Sequence, residues 1–156
     1  MRRKEKEITR RHELDQIIHN SLICHLSCSL NDHPYVVPLS FGYDGNAVYF
    51  HTAREGKKND ILSANPRVCL GFEGEIHLQP DADLACRCSF HYQSVIATGF
   101  AEVVTNSKDR LYGIKQIMLH FSDQDWEISE KELSRTAIWQ VILSEITGKK
   151  SPANKT

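Results

Sequence analysis

Three strand-like runs follow one another between residues 22 and 52, separated only by turn residues. Residues 22–30 alternate apolar and polar side chains, which is the period of a half-buried strand. Residues 35–41 follow the turn Asn-Asp-His-Pro, and residues 47–52 follow Tyr-Asp-Gly-Asn, in which Asp-Gly is typical of a tight hairpin. Parallel neighbours need a crossover of a dozen or more residues, so turns this short predict antiparallel strands.

The rest of the chain adds three more strand-like runs, over residues 67–73, 95–104 and 139–147. The run 95–104 is apolar on both faces, which predicts a strand buried on both sides. Six strands joined mostly by short connections predict a mainly β (β+α) fold, a six-stranded antiparallel split β-barrel with peripheral helices.

Three segments have helical spacing. They are residues 10–20, residues 59–64, and a longer helix that Ser107 is expected to cap and that carries apolar residues as far as Phe121. Residues 74–90 give no clear pattern. A single domain is expected over residues 1–150, with residues 151–156 forming a polar tail.

Composition limits the kinds of partner. The formal net charge is −1, with 40% hydrophobic and 25% charged residues, so neither a nucleic acid nor a membrane surface is expected to bind. No apolar run approaches the roughly 20 residues of a membrane-spanning helix. The five cysteines are an odd number in a chain of this size, which favours reduced thiols and a cytoplasmic location.

The segment "FHTAREGKKND", residues 50–60, combines a strand-end histidine with a Gly-Lys-Lys turn. Gly56 permits close backbone approach, Lys57 and Lys58 supply positive charge, and the following helix offers free N–H groups, as in phosphate sites. His51 is able to act as an acid or base near neutral pH. The segment alone is equally compatible with a solvated turn and with a histidine hydrogen-bonded to the backbone.

The segment "CRCSFH" places Cys86, Cys88 and His91 close together in sequence. Structural zinc sites use paired Cys-x-x-Cys motifs, and no such pair is present, so we expect free or buried thiols and no metal.

Five segments in order resemble the pyridoxamine 5'-phosphate oxidase-like flavoproteins with a split β-barrel, and most closely their nitroimidazole-resistance (Nim-like) branch. The segments are "MRRKEKEIT", "PYVVPLSFGYDGNAVYFHTAREGKK", "ANPRVCLGFE", "YQSVIATGFAEVV" and "SEITGKKSP". Together they span nearly the whole chain.

The resemblance implies a flavin, FMN with FAD as the alternative, in a groove at a homodimer interface. By matching position, the resemblance implies that the flavin ring is bordered by the strand backbone of Val36, Val37, Pro38 and Leu39. The next strand touches the ring and the ribityl chain through His51 and Thr52, and the flavin phosphate is met by Lys57 and Lys58. Further hydrogen bonds across the dimer come from Gln93 and Ser94.

The implied activity is reduction of a nitro-aromatic (5-nitroimidazole-type) or other small electrophilic compound, in which the flavin performs the redox chemistry. His51 as a proton donor is a hypothesis. Vitamin B6 oxidation is not expected, because no arginine cluster stands near the C-terminus to hold a second phosphate.

The alternative is a flavin- or haem-binding carrier or sensor without turnover. Several histidines are candidate axial ligands in that case, namely His25, His33, His51, His77 and His91.

Overall fold

The structure is a computed structural model that describes residues 3–124 and 126–151. The helices are α1 (Arg11–Asn20), α2 (Lys57–Ala64), α3 (Ser107–Phe121) and α4 (Glu130–Leu133). The strands are β1 (Glu7–Ile8), β2 (Cys24–Leu30), β3 (His33–Leu39), β4 (Gly42–Tyr43), β5 (Ala47–Ala53), β6 (Arg67–Gln79), β7 (Ser89–Val103) and β8 (Thr136–Lys150). Single 3-10 turns lie at Lys4–Lys6 and Ala85–Arg87.

All strand pairs in the described residues are antiparallel, in the order β3-β2-β6-β7-β8-β5-β4, with β1 added to β8. Only two residues separate the last residue of β3 from the first of β4, so these end strands lie within about 11 Å of each other and the sheet curls round on itself. The predicted antiparallel split barrel is confirmed. Its strands number eight in the described ranges rather than six, because β1 and β4 have two residues each and carry no periodic signal.

The barrel core is formed by the inward-facing residues of the strands. Leu26 pairs with Leu70, which pairs with Ala97, and all three are inaccessible to solvent. Phe41, Phe50 and Phe72 are the largest fully buried side chains. These aromatic rings belong to the main core, and such inward side chains fix the strand register, since a one-residue slip would turn each of them outward.

The outer side of β7 corrects a prediction. Val95 and Ala97 are buried, but Ile96 and Phe100 are 53% and 51% exposed, so only one face of this strand is buried within the chain. Val36 and Ile142 are likewise exposed, at 60% and 54%. We call Val36, Ile96, Phe100 and Ile142 the outer apolar patch. A sequence with two apolar faces thus leaves one of them uncovered in a single chain.

Residues 74–90, which give no clear pattern in the sequence, form the far end of the β6–β7 hairpin, beyond a register shift after Glu73. Ile76, Leu78 and Phe90 are exposed there. The strand period was not recognised because the hairpin end has no buried face to impose it.

The helices lie close to their predicted positions. The predicted helices over 10–20 and 59–64 correspond to α1 and α2, and α2 begins two residues earlier, at Lys57. α3 is capped by Asn106 rather than by Ser107, since the Asn106 side chain accepts from the backbone N–H groups of Lys108 and Asp109. No helix within the described ranges combines the length and the apolar content needed to cross a bilayer. The predicted polar tail lies outside the described residues except for Ser151, which is buried.

Candidate functional site

Two strands have an edge that is open to a ligand. In the described part of the chain, β3 pairs only with β2, and residues 50–53 of β5 pair only with β8. The backbone N–H and C=O groups along these edges are available for hydrogen bonds. Pro38 has no N–H group, and proline within a sheet is typical of such an edge.

The first turn of α2 spans the gap between these two strands. The Lys57 Nζ atom lies 5.0 Å from the centre of the Tyr35 ring on β3, and the Lys58 Nζ atom lies 5.6 Å from the centre of the Phe50 ring on β5. We call residues 36–39, residues 50–53, Lys57 and Lys58 the β3–β5 seam.

The start of α2 leaves backbone donors without partners. Its N-cap is Gly56, which has a φ of 135° and no side chain to accept a hydrogen bond. The backbone N–H groups of the first helical turn have no acceptor within the helix. Free N–H groups and the partial positive charge of a helix N-terminus together form a site for an anion.

The two lysines at the seam are not neutralised. Among the described residues, no Asp or Glu carboxylate lies within ion-pair distance of Lys57 or Lys58. The groups nearest Lys58 inside the barrel are thiols, and burial raises the pKa of Cys24 to about 12, so this thiol stays neutral. The seam therefore presents uncompensated positive charge.

His51 lies at the end of β5, next to Lys58. Burial lowers the pKa of His51, and the positive charge of Lys58 lowers it further. Burial also lowers the pKa of Lys58. The imidazole of His51 is thus neutral at pH 7, with one nitrogen able to donate and the other able to accept a hydrogen bond.

The predicted residues on β3 and β5 face different ways. Val36 and Pro38 point outward, whereas Val37 and Leu39 pack against the core. Thr52 is buried, donates from Oγ1 to the backbone oxygen of Ala53 at 2.7 Å, and accepts from Trp139 at 3.3 Å. The hydroxyl of Thr52 is consequently engaged within the chain, which leaves its backbone edge for a ligand.

Gln93 and Ser94 do not lie at the seam of their own chain. Val36 on β3 shares a rung with Ser27, Cys69 and Thr98, and Ser94 stands four residues beyond Thr98. Ser94 is therefore displaced from Val36 by about 13 Å along the strand direction and by about 14 Å across the sheet, which is three strand spacings. Ser94 points to the outer side of the sheet, so it can approach a seam only on another copy.

The cysteine segment forms hydrogen bonds. The Cys88 thiol donates to the backbone oxygen of Asp81, and Nδ1 of His91 lies 2.9 Å from Oγ of Ser151. Within the described ranges, no three His, Cys, Asp or Glu side chains are grouped so that they could hold a metal ion.

Two aromatic residues at the seam were not singled out from the sequence. Tyr35 and Phe50 lie beneath the lysine ammonium groups, where the ring faces attract a cation. Both residues belong to predicted strands, but no local signal places their rings under a helix that starts several residues later.

The geometry defines a class of protein, a split β-barrel with a positively charged seam at the start of α2. Residues 10–150 match the family model described as Pyridoxamine 5'-phosphate oxidase. The chain therefore belongs to the pyridoxamine 5'-phosphate oxidase family.

Solved structures share this fold. The chain is 26% identical to a putative 5-nitroimidazole antibiotic resistance protein from Bacteroides thetaiotaomicron, with a TM-score of 0.82, over 92% of this chain and 85% of that one. An FAD and heme binding protein from Mycobacterium smegmatis is 19% identical, with a TM-score of 0.84, over 95% of this chain and 74% of that one. An uncharacterised protein of Rhizobium meliloti is 32% identical over 60 residues, which is 38% of this chain and 39% of that relative.

Proposed function

We propose that this protein is a homodimeric flavoprotein that reduces small electrophilic compounds, nitro-aromatic compounds among them, with the flavin bound at the β3–β5 seam. The observation that carries the proposal is the first turn of α2, which holds Lys57 and Lys58 across two open strand edges with no carboxylate partner in the described part of the chain. Unpaired cations at an uncapped helix start favour a phosphate group.

The seam fits the separate parts of a flavin mononucleotide. Lys57, Lys58 and the free N–H groups of α2 would hold its phosphate. The β3 edge at residues 36–39 would hydrogen-bond the polar rim of its ring, and Val36 and Pro38 offer apolar contacts on the outer side. When bound, the flavin would take electrons from a donor such as NAD(P)H and deliver them to the substrate.

The outer apolar patch supports a homodimer as the working form. Four exposed apolar residues on one side of a sheet favour association with a second copy, and twofold dimers are the commonest closed assembly. A partner on this side would bring its own Ser94 toward the seam, which the distance within one chain does not allow.

The cofactor is proposed as FMN because the start of α2 is a site for one phosphate. FAD is the alternative within the same proposal. All five cysteines are free thiols, which favours a reducing compartment such as the cytoplasm.

A non-catalytic flavin or haem sensor is the competing function. The Mycobacterium smegmatis structure is described as binding both FAD and heme. In this chain the His77 and His91 rings lie 6.3 Å apart at the hairpin end, where they could serve as axial ligands.

Absorbance of the freshly purified protein separates these alternatives. A flavin absorbs near ~450 nm and haem near ~400 nm. Release of the chromophore with acid, followed by chromatography against FMN and FAD, identifies the cofactor. Released FMN and reduction of a 5-nitroimidazole with NAD(P)H are expected. A haem spectrum, or a colourless protein that does not take up added flavin, would contradict the proposal.

The role of His51 is tested by replacing it with alanine. If this imidazole donates a proton to the substrate, H51A retains flavin and loses most of its nitroreductase activity, by about 100-fold. A matched control is H12Q, at an exposed histidine of α1. Unchanged turnover in flavin-loaded H51A would remove His51 from the mechanism.

A further inference from the structure

A second cavity lies on the opposite side of α2 from Lys57. Lys57 and Ile61 line a cavity of about 380 Å³ at the β2–β3 turn, whereas Asn59 and Ser63 line an open cavity of about 410 Å³. Residues two apart on a helix point in nearly opposite directions, so α2 separates the two spaces. The seam does not account for this second cavity.

Two arginines, Arg54 and Arg110, line this cavity and also line a smaller one of about 220 Å³. Arg54 is exposed and makes no hydrogen bond or ion pair with any described residue. Arg110 is held in place, since its guanidinium donates to the backbone oxygens of Leu133 and Thr136. One guanidinium is thus free to bind an anion, and the other is fixed beside the same space.

The remaining wall is largely apolar. Val103, Val104, Ala137 and Trp139 line the cavity, and Val104 and Trp139 are buried. A volume of about 410 Å³ is within the range of small-molecule sites. A cavity lined by both apolar side chains and guanidinium groups is complementary to a molecule with a hydrocarbon body and one negative group.

Asn59 adds a polar feature to the wall. It is 8% exposed, and its Nδ2 donates to the backbone oxygen of Ala53 at 2.7 Å. Its Oδ1 is buried and has no hydrogen-bond partner among the described residues. This oxygen is inaccessible, so Asn59 serves the cavity as a fixed part of its wall and leaves the arginines as the groups that can bind an anion.

We propose that this cavity, named here the Arg54 cavity and defined by Arg54, Asn59, Ser63, Arg110 and Trp139, binds a small organic carboxylate with an apolar body. Arginine binds carboxylates through two parallel hydrogen bonds, and a free arginine beside an apolar wall favours such a ligand over an inorganic anion. Lys57 and Lys58 do not line this cavity, so its charged contacts are separate from those of the seam, although Asn59 and Trp139 hydrogen-bond to Ala53 and Thr52 of the seam.

Calorimetric titration of the purified protein with cyclohexanecarboxylate tests the proposal. Saturable binding is expected for the wild-type protein. The R54Q variant should bind about tenfold more weakly, because one charge-assisted contact is lost. The matched control R87Q changes an exposed arginine at the far end of the β6–β7 hairpin and should bind as the wild type does. No saturable binding, or equal binding by R54Q, would overturn the proposal.

Three further arms identify the ligand class and the place of binding. S63L, at an exposed position of α2, should fill part of the cavity and weaken binding without disturbing the core. Inorganic phosphate should bind more weakly than the carboxylate, and equal affinity would overturn the assignment to an organic acid. Saturation with FMN should leave carboxylate binding unchanged, whereas competition would place the ligand at the seam and refute a separate site.

Discussion

The two ends of the barrel, one next to α1 and the other next to α2, differ in whether their charged side chains are paired. Next to α1, Arg11 donates to Asp15 at 2.8 Å, and Lys150 donates to Glu13 at 2.8 Å. The second of these bonds lowers the pKa of Glu13. Next to α2, the ammonium groups of Lys57 and Lys58 lie over aromatic rings, and no carboxylate of the described residues is within ion-pair distance of either.

The strand register places these helices at opposite ends. α1 lies near Gln93 of β7, since the two border a common cavity. α2 ends three residues before Arg67, whose partner on β7 is Phe100, seven residues from Gln93. The comparison teaches that the charges of α1 are paired within the chain, whereas the two lysines at the start of α2, which we propose hold a flavin phosphate, have no carboxylate partner among the described residues.

The largest expected effect on stability is at the α1 end. Leu14 is 6% exposed and belongs to the main core, so L14A should lower the free energy of unfolding by about 3 kcal/mol. Urea unfolding measures this, with L22A at a 78% exposed leucine as the control. The folded L14A protein should keep its flavin affinity. A large loss of affinity would show that the two ends are not separate in function.

A smaller effect is expected when one charge pair at the α1 end is changed. Asp15 Oδ1 accepts from the Arg11 guanidinium and from the Tyr43 hydroxyl at 2.7 Å. D15N weakens both hydrogen bonds, so unfolding should become easier by about 1 kcal/mol. D60N in the first turn of α2 removes an exposed carboxylate, and its cost should be about 0.3 kcal/mol. If urea unfolding showed equal losses of unfolding free energy for D15N and D60N, the proposed difference between the two ends would be contradicted.

The smallest effect concerns pH. Burial lowers the pKa of His120 below its ordinary value of 6.5, although a hydrogen bond to the backbone oxygen of Ser21 opposes this. The unfolded chain therefore takes up the proton first, and stability is full above pH 6.5 and falls as pH decreases through the lowered pKa. H120Q should reduce this pH dependence. A control H12Q, at an exposed position, should retain it, and the midpoint of urea unfolding measured against pH checks both.

Much of the fold could be predicted from the sequence because the signals are local. Alternation over residues 22–30 and the Asp-Gly turn, where Gly45 has a φ of 94°, give β2 and the hairpin into β5. The exposed face of β7 could not be predicted, because apolar residues read alike whether they are covered by the same chain or by a second one.

One part of the candidate site could likewise be predicted from the sequence, and another part could not. The Gly56, Lys57 and Lys58 turn is contiguous in sequence, so its anion-binding character could be recognised without a structure. The position of Arg54 and Arg110 around one cavity could not be predicted from the sequence, because it depends on α3 packing beside the end of β5. No spacing in the sequence indicates such a contact between elements.

The central claim is that the unpaired lysines at the start of α2 hold the phosphate of a flavin. Titration of apo-protein with FMN, followed by quenching of flavin fluorescence, tests it most directly in three proteins. These are the wild type, K57Q/K58Q, and the control K108Q/K131Q, which removes two exposed lysines from α3 and α4. The account predicts a dissociation constant about 100-fold higher for K57Q/K58Q and an unchanged one for the control. Equal FMN affinity in all three proteins would contradict it.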